Sequence, residues 1–505
     1  MRIQSSTFQR RERNPTLALA AVLLAASCSG CPSSSGDAAS DVPAETCDVE
    51  SCDRTCRARG GCRGWCSGGI CGCICDGDAD AGTDRADADQ PDSHDPDVDQ
   101  PDDLSDDAES DASACLLYVE PETRPGASPG VTCHRASAGV MEDGLIHGDG
   151  EGDRIVVSGD DSDRSGQALW EYTKSTGCLR VVQAGDSPIG GPAIASWPSV
   201  EGTRLAYMIA WSASSGTDTC QIRLRNLETG ESRVVDTNTS ADQPGSVPGC
   251  FNDYVAMEYP WVVWRDIREH PPGGTRVIPY QSNALAVNAE TGELLNLSLD
   301  PDTGDQRVGG TDRTDIAGGM VVFGSSWMIS DPYPGVSYSE VVAFDLATRT
   351  RRQITNAIAD QYLPTVSEQW IAWADQRNAP SFDWFHPCHG DIYAYDRSTG
   401  VEIPLVIEGE ALHGPSADAE GPWLVYNDQR WDPEPDCDSD REQDIVALHV
   451  PTRTEIRITD WPGMEAGARV YDRRDGTYGV LLIADVPGSG DGRLWDCDLP
   501  EPAGP

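Results

Sequence analysis

Positive charge is scarce in this chain. Its 505 residues carry 37 Lys and Arg against 84 Asp and Glu, a net charge of −47, and Lys174 stands as the one lysine. A surface that negative repels nucleic acid, anionic lipid and acidic polysaccharide, so none of these is an expected partner. Long apolar runs are missing too. The segment TLALAAVLLAA (16–26) is too short to span a bilayer permanently. Apolar spacing of three and four is absent from the C-terminal three quarters, which excludes helical solenoids. GASPG (126–130) has the spacing of a nucleophile elbow, but no strand-to-helix context surrounds it and Pro129 follows the serine. Sialidase-type aspartate boxes are absent as well, and no hydrolase-like segment follows the repeats described next.

What the chain does contain is a repeat. The two clearest copies are QWIAWADQR…DIYAYDRSTGVEIPLVI (369–407) and PWVVWRDIR…ALAVNAETGELLNLSL (260–299). The most apolar strand of each copy centres on Val157, Tyr207, Val263, Val322, Ala372, Val425 and Leu482, a period of roughly 54 residues that suits a four-stranded blade with long loops. The predicted fold is therefore all-β, a seven-bladed β-propeller over 115–500, with six or eight blades as alternatives. In the fifth copy the strands read LPTVS (363–367), WIAWAD (370–375), DIYAYD (391–396) and EIPLVI (402–407). The last two are joined by RSTG, and the equivalents are KSTG at Lys174, LETG at Leu227 and AETG at Ala289. Glycine there supplies the positive φ of a tight bulged hairpin. Arg349 and Arg453 replace it in the fourth and sixth copies, where the hairpin should survive at a local cost.

The seventh copy has three strands, beginning at Ala468, Tyr478 and Arg493. An open edge in a propeller would expose unpaired backbone groups, so a strand from elsewhere is expected to fill it. CLLYVE (115–120) is the expected closing strand, with a disulfide between Cys115 and Cys497 pinning the ring. Cys388 and Cys437 occupy comparable loops of adjacent copies and are expected to staple one face; Cys220 and Cys250 are further disulfide candidates.

Ahead of the repeats the chain changes character three times. Residues 1–27, with Arg2, Arg10, Arg11 and Arg13 before the apolar run, read as a secretory signal. SCSGC then resembles a bacterial lipoprotein box, which implies a diacylated cysteine at Cys28, with Cys31 as the alternative, and a short tether over 28–46. That resemblance implies an exported outer-membrane or cell-surface lipoprotein whose membrane contact is the lipid anchor only. Residues 47–75 hold eight cysteines, too little chain for an apolar core, so disulfides should hold the module together. Zinc on closely spaced thiolates is the rival. Part of the spacing resembles the cysteine-stabilised αβ module of defensins. The resemblance implies Cys47–Cys66, Cys52–Cys71 and Cys56–Cys73, with Cys62–Cys75 added. Residues 76–114 hold fifteen Asp and one Glu against one Arg, and read as a disordered, self-repelling spacer.

Asp-x-Arg follows the second strand as Asp266/Arg268, Asp375/Arg377 and Asp428/Arg430. With the DIYAYD that follows, this phrase resembles the repeat of TolB-like propellers, which implies protein ligands at the channel mouth. A carboxylate capping turn amides, with its guanidinium bridging to a neighbouring blade, accounts for the recurrence without catalysis. The loops after that phrase are long and aromatic, and they should share one face. They offer Trp327, Tyr333, Trp384, Phe385, His386, His389 and Trp431 as binding residues for an unknown protein or an uncharged ligand. The expected function is a non-catalytic binding scaffold with no cofactor, metal or catalytic residue. The alternative is a secreted carbohydrate-active propeller enzyme, a lyase or hydrolase, with a metal held by His386, His389 and His413.

Overall fold

The computed structural model describes the backbone of 63–67 and 70–74 and most of 115–501. Outside the described residues within that range lie 138–146, 161–165, 213–217, 240–251, 267–281, 300–312, 330–335, 379–389, 408–417, 432–442 and 486–491, with positions 116, 120, 121, 190, 358, 429 and 464. The chain divides into two units, Met1–Asp103 and Leu104–Pro505. In the first, Arg63–Ser67 and Ile70–Ile74 form an antiparallel hairpin that sets Cys66 opposite Cys71 and Gly64 opposite Cys73. Cys28, Cys31, Cys47, Cys52, Cys56, Cys62 and Cys75 lie outside the described residues.

The second unit contains only strands and turns among its described residues. Its strands follow in chain order as seven antiparallel meanders. The innermost strands are Gly148–Glu151, Ala193–Glu201, Asn252–Glu258, Thr314–Ala317, Gln361–Val366, Asp418–Glu420 and Glu465–Asp472. The second strands are Arg154–Asp160, Arg204–Ser212, Trp261–Asp266, Met320–Ile329, Trp370–Asp375, Trp423–Asp428 and Tyr478–Asp485. Each of the seven repeat centres falls in one of these second strands, and none is more than 1% exposed. The first two meanders share a sheet through a single parallel pair, Ile194 with Gln167.

The packing explains why these strands do not alternate. Leu424, Tyr426 and Val446 of the sixth meander pack against Ala372, Ile392 and Ala394 of the fifth, while Val425, Ile445 and Ala447 on the opposite face pack against Val470, Val480 and Leu482 of the seventh. Both faces of a central strand are therefore covered, and its sequence runs continuously apolar. The same layering fills every gap between successive meanders. It includes the gap between the seventh and the first, where Tyr471, Leu481 and Leu494 meet Ile155, Val157 and Trp170.

The outer hairpins follow their turn chemistry. Gly230, Gly292 and Gly400 take φ of 74°, 72° and 73°, and Arg349 and Arg453 adopt the same left-handed conformation at 58° and 57°. In these turns Asn226, Asn288, Asp345 or Asp396 accepts hydrogen bonds from the amides two and three residues on. In the Arg349 turn, where glycine is lacking, the Asp345 cap supports the backbone.

The closing seam differs from expectation. The outer strand beside Gly492–Asp498 is Thr132–Arg135, with Cys133 opposite Cys497, and Thr123–Pro125 adds a fifth strand. CLLYVE instead contributes Leu117–Tyr118 to the outer edge of the first meander. Cys497 is accordingly bonded to Cys133, and Cys115 to Cys178. The physical reason is reach: Thr132–Arg135 pairs with the seventh meander before the chain enters the first, so the earlier segment is left to cover the first meander's edge. Cys220 is also disulfide-bonded, its partner lying outside the described residues along with Cys250, Cys388 and Cys437.

Candidate functional site: a carboxylate-lined central cavity

The innermost strands of all seven meanders line a cavity of about 360 Å³. Inner strands run side by side in one direction, so equivalent residues form levels along the cavity. The deeper level is held by hydrogen bonds from one meander to the next. Asp149 accepts from the Val200 amide (2.7 Å), the Ser199 hydroxyl from Met257 (3.1 Å), Asp315 from Val366 (2.9 Å), the Thr365 hydroxyl from Ala419 (3.1 Å) and Asp418 from Val470 (3.1 Å). Short polar side chains at this level satisfy inner-strand amides that have no next strand to pair with. They also fix the register between meanders.

Two arginines join this level. Arg313 Nη2 donates to Asp418 Oδ1 at 3.0 Å, and Arg469 Nη1 donates to the same oxygen at 2.6 Å. The bridge links the fourth, sixth and seventh meanders across the cavity. Burial opposes the charge on Arg469, but Asp418, Asp149 and Asp315 together hold its pKa above the ordinary value. Burial, aided by Arg469, lowers that of Arg313. Burial raises Asp149 to about 6 and raises Asp315 as well, although both accept backbone amides. Above this level His147 stacks on Trp197 (3.5 Å between ring centres), and Trp197 lies 4.4 Å from Tyr254. Burial and the charge of Arg469 lower His147 to about 3, so its ring is neutral.

The other level is a rim. At the end of the inner strand, or just past it, six of the seven meanders place a carboxylate in the lining: Glu151, Glu201, Glu258, Glu368, Glu420 and Asp472. Three of them cap the turn of the following meander. Glu151 accepts from the Gly202 amide, Glu201 from Tyr259, and Glu258 from Gly318 and Gly319 at 2.9 and 2.7 Å. Among the described residues neither Glu368 nor Glu420 makes such a cap, and these two stand on adjacent meanders. Glu420 is raised to about 8 by burial and by the negative charges of Asp418, Asp472, Asp149 and Asp315. In all, nine carboxylates line the cavity against Arg469 and Arg474, an imbalance suited to a cationic occupant.

Among the described residues, none of those singled out from the sequence lines this cavity. Tyr333, Trp384, Phe385, His386, His389 and His413 lie outside the described residues, and Trp327 is described only through its backbone in Met320–Ile329. Trp431 is 41% exposed, with the guanidinium groups of Arg430 and Arg457 at 4.9 and 4.5 Å from its ring centre. Asp375 accepts from the Arg377 amide at 2.9 Å, and Asp428 from the Arg430 amide at 2.8 Å. Among the described residues the guanidinium groups pair within their own meander, where a bridge to a neighbouring blade had been expected. Arg377 folds back onto Asp375 and reaches Glu402 (2.6 Å), and Arg430 reaches Asp428 and Glu455 (2.9 Å), each on the outer strand of its own meander. In each case a glutamate of the same meander's outer strand is a partner. Asp266 is fully buried, and Arg268 lies outside the described residues. The rim carboxylates went unnoticed in the sequence. Their signal was a recurring acidic residue just before the second strand, as in SVEGTR, AMEYPW and DAEGPW.

An all-β unit of stacked meanders around a central cavity defines a β-propeller. No family model matches the chain, and no curated protein matches it in sequence. Among solved structures it is similar to an oligogalacturonate lyase from Vibrio parahaemolyticus, at 13% identity over 76% of this chain and 98% of that one, with a TM-score of 0.50. An oligogalacturonate lyase in complex with manganese gives 14% identity, coverage of 76% and 97%, and a TM-score of 0.48. The β-propeller domain of the Trilobed protease from Pyrococcus furiosus, described as having an open velcro topology, gives 10%, 70% and 92%, and 0.47. Likeness at this level of identity shows the fold alone. Among the described residues no group of three His, Cys, Asp or Glu side chains is set to hold a metal ion.

Proposed function

We propose that this chain is a lipid-anchored cell-envelope protein whose seven-bladed, TolB-like propeller is a non-catalytic binding module, and that the rim of its central cavity receives a cationic group of a protein partner. The observation that carries the reading is the pair of rim carboxylates, Glu368 and Glu420, left without a capping role in a cavity of strong negative excess. A lysine or arginine side chain entering there meets Glu420, which is half-buried and partly removed from water, beside the exposed Glu368, and charge attraction at Glu420 exceeds its value in bulk solvent. It also displaces the proton that burial and the neighbouring aspartates keep on Glu420, so affinity should fall as the pH drops below about 8. The alternative of a carbohydrate-active enzyme rests on histidines outside the described residues.

Calorimetric titration of the full-length protein with a tetra-arginine peptide tests this. Glu368→Gln/Glu420→Gln should weaken binding by about tenfold or more, roughly 1.4 kcal/mol. The same change at the exposed hairpin residues Glu228 and Glu231 should leave it nearly unaltered. Equal binding by the two double variants would show that attraction is to the whole acidic surface and would refute the rim as the site.

A further inference from the structure

We infer that closure of the ring is a one-way, thiol-controlled step, in which Cys133 and Cys497 are oxidised while the seam is still open and are then buried. The strand ladder at the seam is short. Among the described residues three ladder pairs, Trp495 with Arg135, Asp496 with His134 and Cys497 with Cys133, join the seventh meander to its outer strand, helped by the Ala136 amide on Leu494, Arg493 on Glu122 and the packing of Val131 beside Trp495. Two more, Leu117 with Leu179 and Tyr118 with Cys178, hold the earlier part of the same segment to the first meander. Strand pairing that short is marginal by itself, and it must bring together positions 364 residues apart. Between these anchor points the segment also touches the sixth meander, where Ala127 and Ser128 donate backbone hydrogen bonds to Ile458 and Arg457. One stretch of chain therefore straps the sixth, seventh and first meanders.

The two disulfides of the strap differ in access. Cys133 and Cys497 are both 0% exposed, whereas Cys115 and Cys178 are half-buried. A buried thiol cannot be reached by an oxidant, so Cys133 and Cys497 must be oxidised while the seam is open. The thiolate of one attacks a disulfide of an extracytoplasmic thiol oxidoreductase and expels one of its sulfurs as a thiol. The second cysteine's thiolate then attacks the mixed disulfide and releases the other. Two protons leave the cysteines, and the oxidant's disulfide is reduced to a dithiol by the two electrons they give up. The bond then becomes inaccessible, so the step does not reverse in the folded protein. Cys115–Cys178 stays open to exchange. In a reducing compartment the seam therefore stays without its covalent clasp.

Refolding of the full-length protein tests this, with N-ethylmaleimide labelling and limited proteolysis as readouts. Chain refolded in dithiothreitol should label at Cys133 and Cys497 and be cut readily, and oxidised glutathione should restore protease resistance. Of the two strap disulfides, mild reductant should open only Cys115–Cys178 in the native protein. Cys133→Ala/Cys497→Ala should stay protease-sensitive under oxidising conditions, and Cys115→Ala/Cys178→Ala should become resistant. Reduced chain that reaches full resistance with Cys133 and Cys497 unlabelled, or a resistant Cys133→Ala/Cys497→Ala variant, would overturn the inference.

Discussion

Replacing Asp418 by alanine tests the account of the cavity most directly. Three donors converge on this side chain: Arg313 Nη2 at 3.0 Å and Arg469 Nη1 at 2.6 Å on one oxygen, and the Val470 amide at 3.1 Å on the other. Arg313 is only 5% exposed in its side chain, so it cannot turn to water when its carboxylate is removed. Breaking a buried ion pair from one side costs about 3–5 kcal/mol, chiefly because a charge is stranded. Asp315 remains near Arg313 and softens the loss, which places the expected value toward the lower end. Asp418→Asn keeps an acceptor oxygen and should cost about half as much. The decisive variant is Asp418→Ala/Arg313→Met, which removes the stranded cation together with its partner. If the cost comes from the stranded charge, the double variant should recover about 1–3 kcal/mol relative to the sum of the single changes. Guanidinium unfolding of the three variants and the Arg313→Met control measures this as midpoint shifts at constant slope. A cost under about 1 kcal/mol for Asp418→Ala, or strict additivity in the cycle, would refute the reading that this carboxylate holds the two arginines in place.

Other outcomes follow from the same geometry. Burial comes first among the causes that raise Glu465 to about 9, Glu420 to about 8, Glu340 to about 7, and Asp149 and Asp444 to about 6. A raised carboxylate binds its proton more tightly folded than unfolded, so its contribution is greatest below the unfolded value and is lost as pH rises through the folded one. His147, lowered to about 3, acts oppositely below about 6.5, but it is one group against five. Unfolding midpoints should therefore rise as pH falls from about 9 to about 6.5, and a flat profile would contradict these assignments. Arg377→Lys loses the fork that joins Asp375 to Glu402 and should destabilise by about 1 kcal/mol in thermal melts, with Arg377→Ala costing more. At Gly421 (φ 54°) an added Cβ would lie 2.3 Å from the Tyr478 hydroxyl, whereas at Gly202 (φ 59°) it would meet nothing within 4 Å. Gly421→Ala should therefore cost more than Gly202→Ala, which bears only the left-handed backbone penalty of about 1 kcal/mol.

The repeat was legible because each central strand is covered on both faces. Continuous apolar stretches such as WIAWAD and WLVYND recur at blade spacing, and every centre taken from them sits in a second strand. Turn chemistry was equally local: the hairpin glycines, and Arg349 and Arg453 in their place, take the backbone the sequence called for. The carboxylate half of Asp-x-Arg could be placed for the same reason, since a side chain capping an amide two residues on needs no information about neighbours.

The closing strand, the two clasp disulfides, the direction of the arginines and the cavity could not be read in this way. Thr132–Arg135 and Leu117–Tyr118 are both short strands with a nearby cysteine, and nothing local says which one meets a strand some 360 residues later. Arg377 pairs with Glu402 on the outer strand of its own meander, a partner 25 residues away that the local phrase does not name. The rim glutamates are ordinary acidic residues in turns until the inner strands line one cavity. Sequence by itself determined the strands, their period and their turns, because these depend on contacts within a few residues or on burial averaged over a face. Tertiary structure alone decided which distant segments meet, and which carboxylates are consumed as caps while Glu368 and Glu420 remain at the rim.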